Sequence, residues 1–131
     1  MVLEYADGGT LFDKLRTETI DKAQIKNYFK DVCEAVHYLH DHEIMHRDIK
    51  VPSLLFKPEN ILLSNTSQAK LCDFGFAAIL GERKTLCGTY EYMSPEMVQN
   101  KPYDSKIDIW ALGILLFEMV SGKAPFQGNS P

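Results

Sequence analysis

Between Asp104 and Gly122 the chain runs Ser-Lys-Ile-Asp-Ile-Trp-Ala-Leu-Gly-Ile-Leu-Leu-Phe-Glu-Met-Val-Ser, apolar on nearly every face of a helix. The predicted helix extends from about Ser105 to Ser121, with Asp104 as its cap and Gly122 as its stop. A helix with almost no polar face has to be enclosed by other elements, so this segment places the rest of the chain around it. A bilayer is not that enclosure, because Ile107 to Val120 carries Asp108 and Glu118 and is too short to span one.

The remaining sequence supplies the covering. Ile25, Phe29, Val32, Val36 and Leu39 recur at three- and four-residue intervals, which predicts an amphipathic helix from about Asp21 to His42 capped by Asp21. Its polar face (Lys22, Lys26, Lys30, Asp31, Glu34) is expected in solvent. Before it, Met1 to Ala6 reads as the end of a strand, Asp7-Gly8-Gly9 as a break, and Thr10 as the cap of a short helix through about Arg16. After it, Pro52 and Pro58 exclude a continuous helix between Ile44 and Leu63. Asn60 to Leu63 and Lys70 to Cys72 read as two short strands joined by the polar turn Ser64 to Ser67. Asp73 to Met93 is irregular, as a long functional loop would be. Ser94-Pro95-Glu96 opens a short helix with Pro95 in its first turn.

A net charge of -4 gives no electrostatic reason to expect nucleic acid or an acidic membrane as a partner. Cys33, Cys72 and Cys87 are scattered without a CxxC pair, which argues for reduced thiols in an intracellular protein. His37, His40 and His42 are expected at solvated positions around a helix end rather than on a metal. The opening Met-Val-Leu-Glu-Tyr-Ala lacks the basic and long apolar regions of a signal peptide.

Between the two long helices stand His46-Arg47-Asp48, then Lys50 and Lys57-Pro58-Glu59-Asn60, then Asp73-Phe74-Gly75. They offer a carboxylate to receive a proton, a lysine for phosphate, and an amide and a carboxylate for magnesium, the groups that phosphoryl transfer from ATP to a hydroxyl requires. Each triplet alone is a weak signal. Their order carries the weight: extended segment, amphipathic helix, His-Arg-Asp, Lys-Pro-Glu-Asn, strand pair, Asp-Phe-Gly, a loop with Thr85 and Thr89, Ser-Pro-Glu, and Asp108-Ile109-Trp110-Ala111-Leu112-Gly113 on the apolar helix.

In that order the chain resembles the eukaryotic protein-kinase family across essentially all its 131 residues. Lys84 to Thr89 and Gly122 to Phe126 are similar to Aurora kinases, with polo-like and other basophilic kinases left open. The resemblance implies an α+β fold: the mainly helical large lobe of a kinase, incomplete, with short β-hairpins at the active site. It implies transfer of the γ-phosphate of ATP, with Mg2+, to Ser/Thr hydroxyls of a protein substrate. Asp48 would accept or orient the hydroxyl proton, Lys50 or Lys57 would steady the transferred phosphate, and Thr89 would bridge Asp48 and that lysine. Asn60 and Asp73 would hold magnesium. Leu3-Glu4-Tyr5-Ala6 resembles the hinge, with backbone groups of Glu4 and Ala6 on the adenine edge, Leu3 as gatekeeper, Leu62 beneath the ring and Cys72 facing the nucleotide. Thr85 would be the activating phosphosite, paired by Arg47 and Arg83, and Glu59 would favour a basic residue upstream in the substrate. His46 and Phe74 would be stacked rings, and Asp108 a carboxylate anchoring the loop from beneath. The same resemblance leaves room for an activating protein partner and implies an intracellular location, cytoplasmic or nuclear and spindle-associated.

Two departures qualify it. These residues contain no Gly-x-Gly-x-x-Gly loop and no Val-Ala-Ile-Lys strand. Residues 1–131 are therefore expected to be the hinge and the N-terminal part of the large lobe, with part of the apolar helix uncovered, poor solubility and negligible ATP turnover; the alternative function is a non-catalytic, pseudokinase-like binding module. The second departure is spacing. Kinase catalytic loops place four residues between the aspartate and the asparagine, whereas eleven lie between Asp48 and Asn60. Removing Val51 to Lys57, or equally Lys50 to Phe56, restores the pattern. A segment opening on a valine codon (GT) and closing on a lysine codon (AG) is compatible with a retained intron, so a mis-spliced fragment is expected; message retaining these codons throughout would sink that reading.

Overall fold

The computed structural model describes residues 2–51, 60–81 and 83–126. Thr10 caps α1 (Leu11–Thr17) by accepting from the Asp13 amide. Asp21 caps α2 (Lys22–Asp41) in a reciprocal box: its carboxylate takes the Gln24 N–H and the Gln24 side chain takes its own N–H, satisfying two otherwise orphan donors. Both helices start where the sequence predicts.

The first sheet pairs β1 (Ile44–Met45) with β4 (Ala78–Ile79), antiparallel, Met45 opposite Ala78. The second pairs β2 (Ile61–Leu63) with β3 (Ala69–Leu71), Leu62 opposite Lys70, and is the predicted hairpin. A 3-10 turn over Tyr90–Tyr92 and α3 (Pro95–Val98) lead to α4 (Lys106–Ser121). Ser105 rather than Asp104 is the boundary residue of α4, although the Asp104 carboxylate still accepts the Lys106 N–H at 2.9 Å. Gly122 ends α4 in the left-handed region, at φ 76°, where a side chain would be strained.

The core packs Val32 and Val36 of α2 and Ile61 and Leu63 of β2 against Ala111, Leu112, Leu115 and Met119 of α4. A second, smaller cluster joins Cys87, Met93, Met97, Tyr103 and Ile107. α4 is central on this side alone. On its other side Ile109, Phe117 and Val120 are 55%, 47% and 67% exposed. Trp110 lies over Phe126 there, rings parallel within 8° and 6.0 Å apart.

Several expectations are corrected. Residues 2–6 form no strand, because no described segment pairs with them; Val2, Leu3 and Tyr5 are exposed and Glu4 is tied by an ion pair to Lys70 at 2.9 Å. The chain meets the hairpin just after them, where the Gly8 N–H and the Gly9 C=O bond to Leu63 and Thr10 bridges to Leu62. A Cβ on Gly8 would sit 2.5 Å from the Ser64 carbonyl oxygen, so only glycine fits this approach. Asp31 is not simply solvated: it accepts the Ala69 N–H at 2.9 Å and so fastens α2 to β3. His40 is not solvated either, since its Nε2 lies 2.9 Å from Asp108 Oδ2.

Candidate active site

Asp108 is 1% exposed in the first turn of α4, and a buried charge there needs partners. It has three. Oδ2 accepts the His46 N–H at 2.9 Å and faces His40 Nε2, while Oδ1 accepts the Arg47 N–H at 2.8 Å. Two successive amides point at one carboxylate because Arg47 takes the left-handed conformation, φ 71°. Such a conformation persists where the surroundings over-determine it.

His46, wholly buried, joins two loops. Its Nδ1 accepts the Asp48 N–H at 3.3 Å, which leaves Nε2–H to donate to the Cys72 carbonyl at 3.0 Å. Burial holds its pKa below the ordinary histidine value, against the opposing pull of the Cys72 carbonyl and of Asp108, Asp48 and Asp73. The Phe74 ring meets it edge-on, at 63° and 5.1 Å, rather than stacked. That arrangement sets a positive ring edge against a negative face.

Asp48 is 5% exposed and is the point of convergence. Lys50 Nζ stands 2.8 Å and Asn60 Nδ2 2.9 Å from Oδ2, and Thr89 Oγ1 donates to Oδ1 at 3.2 Å. Asn60 Nδ2 also reaches the Asp48 carbonyl at 2.6 Å. Asp48 and Asn60 therefore meet despite the eleven residues between them. Of the two candidate lysines, Lys50 is in this cluster and Lys57 lies outside the described residues, as does Glu59. The Cys72 N–H donates to the Asn60 carbonyl at 2.9 Å, which sets Asp73 beside the cluster. Asp73 is exposed, with φ 58°, and its carboxylate takes the Gly75 N–H.

Among the described residues no three His, Cys, Asp or Glu side chains converge as an all-protein metal cage. Asn60 Oδ1 is nevertheless a buried oxygen without a hydrogen-bond partner among them. With the exposed Asp73 carboxylate it offers the hard oxygen donors that Mg2+ takes when substrate phosphates complete its shell. The residues fit that ion.

The loop from Asp73 returns to the same place. Arg47 donates through Nε to the Phe76 carbonyl and through Nη1 to Tyr103 Oη at 3.0 Å; Tyr103 Oη donates to the Thr85 carbonyl at 2.7 Å. Thr85 is exposed. The Arg83 guanidinium points to the Ile79 carbonyl at 3.2 Å. Gly88, at φ 93°, packs so closely on Arg47 that a Cβ would lie 2.8 Å from its carbonyl oxygen.

The nucleotide candidates are dispersed by comparison. Leu3 is 73% exposed, Ala6 is half-buried, Glu4 is taken by Lys70, and Leu62 and Cys72 are half-buried on and after the hairpin. The apolar cavity of about 670 Å³ lies elsewhere, on α4, lined by Ile109, Trp110, Phe117 and Phe126 among others. It contains none of the cluster around Asp48.

One buried network escaped sequence reasoning. Tyr92 Oη accepts the Val51 N–H at 3.1 Å, lies 3.1 Å from the Val51 carbonyl and donates to Glu118. Burial and the neighbouring Glu118 push the Tyr92 phenol far above its usual range, and burial raises the Glu118 carboxyl. A lone glutamate in an apolar helix was the available signal, because a buried carboxylate requires a donor.

Known proteins with similar sequences carry the match over the whole chain. Mouse (Mus musculus) Aurora kinase C is 37% identical across 99% of it, and the human (Homo sapiens) cAMP-dependent protein kinase catalytic subunit PRKX is 45% identical across 100%. Serine/threonine-protein kinase SMU1 of Mycosarcoma maydis is 41% identical across 100%. The chain spans 46%, 35% and 17% of those three proteins, less than half of each. Residues 1–131 match the protein kinase domain family from end to end, and the chain belongs to that family.

Proposed function

We propose that residues 1–131 are part of an Aurora-like serine/threonine kinase domain, its hinge and the first part of its large lobe, acting on protein Ser/Thr hydroxyls with ATP. The observation that carries this reading is the convergence of Lys50, Asn60 and Thr89 on the two oxygens of buried Asp48. Three donors fix that carboxylate in one orientation, which a proton acceptor for a substrate hydroxyl needs. Lys50, one hydrogen bond from Asp48, sets a positive charge where the transferred phosphoryl group would pass. Asn60 Oδ1 and the Asp73 carboxylate would hold magnesium, which when bound neutralises phosphate charge. Backbone groups of Glu4 and Ala6, with Leu3, Leu62 and Cys72, are the proposed adenine contacts. Thr85 is the proposed phosphosite, and the Arg47 fork is suited to its phosphate. An intracellular place of action and an activating protein partner belong to the same reading.

These 131 residues lack a glycine-rich loop and the strand lysine that fix the ATP phosphates, so negligible turnover is expected of them alone. The test belongs in the full-length protein. Asp48→Asn is expected to lower kcat about 10²–10⁴-fold while Mg·ATP still raises the melting temperature. Undiminished peptide phosphorylation by Asp48→Asn would remove the proposal. Mg·ATP binding with no phosphotransfer by either form would instead support a pseudokinase-like binding module.

A further inference from the structure

Tyr103 belongs to none of the motifs above, yet it is 4% exposed and closes a ring around the site. Its side chain packs in the small core with Cys87, Met93, Met97 and Ile107. Its main chain pairs with Arg83 through two hydrogen bonds, of 3.1 and 3.0 Å. Its hydroxyl uses both of its capacities, accepting from Arg47 Nη1 at 3.0 Å and donating to the Thr85 carbonyl at 2.7 Å. Four residues after Thr85, the Thr89 hydroxyl bonds Asp48, the neighbour of Arg47. The segment from Thr85 to Thr89 is thus fastened at both ends to Arg47-Asp48, and Gly88 rests on the Arg47 carbonyl between them. The Nε and Nη1 groups of Arg47 are engaged, while the rest of its fork has no protein partner among the described residues.

We propose that Tyr103 is a positioning residue whose hydroxyl ties Thr85 to Arg47 before any phosphate is present. A phosphate on Thr85 then meets an Arg47 already in place and strengthens a tie that exists. Only the role of Thr85 as phosphosite rests on the kinase reading; the tie itself stands without it.

Trypsin reports on the tie, because cleavage after Lys84 requires the Lys84–Thr85 bond to open locally. Tyr103→Phe keeps the ring in its pocket and removes the hydroxyl. It is expected to speed that cut about thirtyfold or more, as loss of a neutral and a charge-assisted hydrogen bond implies. Cleavage after Lys123, far along the chain, is expected to stay unchanged. A wild-type rate at Lys84, or equal acceleration at both sites, overturns the proposal. If Tyr103→Phe does not fold, Arg47→Met opens the tie from its other end and is expected to accelerate the Lys84 cut at least about threefold; no acceleration overturns it. Phosphothreonine placed at 85 is expected to slow the cut by a larger factor in the wild type than in Tyr103→Phe, because Tyr103 holds Arg47 ready for the phosphate; equal factors, or a larger one in Tyr103→Phe, would overturn the pre-positioning of Arg47. Proteolysis needs no catalysis, so loss of the kinase reading in the Asp48→Asn assay leaves these outcomes standing.

Discussion

Asp108→Asn is nearly isosteric and tests how the catalytic segment is held. The native carboxylate accepts backbone N–H groups from His46 and Arg47 at 2.9 and 2.8 Å, and faces His40 Nε2 at 2.9 Å. Asparagine has one oxygen for the two amides, and its NH2 would face the other N–H donor to donor. Leaving one buried amide unpaired costs about 1–3 kcal/mol, and exchanging a charged acceptor for a neutral one takes about 1 kcal/mol from the bond that remains. The expected loss is about 3 kcal/mol, a large share of the 5–15 kcal/mol that holds a domain together. Urea unfolding followed by the fluorescence of Trp110, the single tryptophan, and by far-UV circular dichroism should show a midpoint lower by about 1–2 M with unchanged slope. His40→Ala removes the third contact and keeps both backbone bonds; because His40 is partly exposed, its cost should be about 1 kcal/mol. A midpoint shift below about 0.5 M for Asp108→Asn, or equal losses for the two variants, would refute the claim that the backbone bonds carry the anchoring.

The pH dependence of stability should expose two opposed groups. Burial raises the Glu118 carboxyl above 4.5, so the native state keeps a proton that the unfolded chain has released, and stability falls as pH rises through that interval. Burial lowers His46 below 6.5, so the native state lacks a proton that the unfolded chain holds, and stability is lost as pH falls through that lower interval. Glu118→Gln removes the first effect and should give a steeper rise of unfolding free energy with pH than the wild type between about pH 4.5 and 6.5; parallel profiles would count against it. Gly88→Ala combines a left-handed backbone with a Cβ 2.8 Å from the Arg47 carbonyl oxygen, so a loss above about 1 kcal/mol is expected in the same unfolding assay, and a neutral effect would show that the loop yields freely. Val120→Lys, on the exposed side of α4, should raise the concentration at which light scattering begins while moving stability by less than about 0.5 kcal/mol; unchanged scattering would clear this face of blame for association.

Local signals in the sequence are enough wherever one element can announce itself. The three- and four-residue recurrence of Ile25, Phe29, Val32, Val36 and Leu39 predicts α2, and Asp21 is its cap in the structure. Asn60 to Leu63 and Lys70 to Cys72 predict the β2–β3 hairpin because their apolar runs flank a polar turn. Two-residue β1 and β4 are too short to show any period, and they pair across more than thirty residues. Residues 2–6 have strand-like composition, but a strand exists only with a partner. His40, Asp31, Tyr92 and Tyr103 look like ordinary surface or core residues until the fold brings Asp108, Ala69, Val51 and Arg47 to them. The cluster on Asp48 was legible by resemblance, residue by residue, whereas Leu3, Glu4 and Ala6 had only their register to recommend them.

The long gap between Asp48 and Asn60 shows what motif spacing measures. Enlarging a connection from four residues to eleven costs only about 1 kcal/mol in closure entropy, (3/2)RT times the logarithm of the ratio. Against that stand the Asn60 bonds to the Asp48 carbonyl and carboxylate, the Lys50 and Thr89 contacts on the same group, and the hold of Tyr92 on the Val51 main chain. The two buried Asn60 hydrogen bonds, one of them to a charged group, outweigh the entropy of the added length. The spacing in a catalytic loop is thus a sign that both ends are anchored, not the cause of their meeting. The anchors here, Thr89, Tyr92 and Asp108, come from 29 to 48 residues beyond Asn60, where no reading of the loop alone would look for them. An inserted segment separates Asp48 from Asn60 only if it pulls hard enough to break those distant contacts.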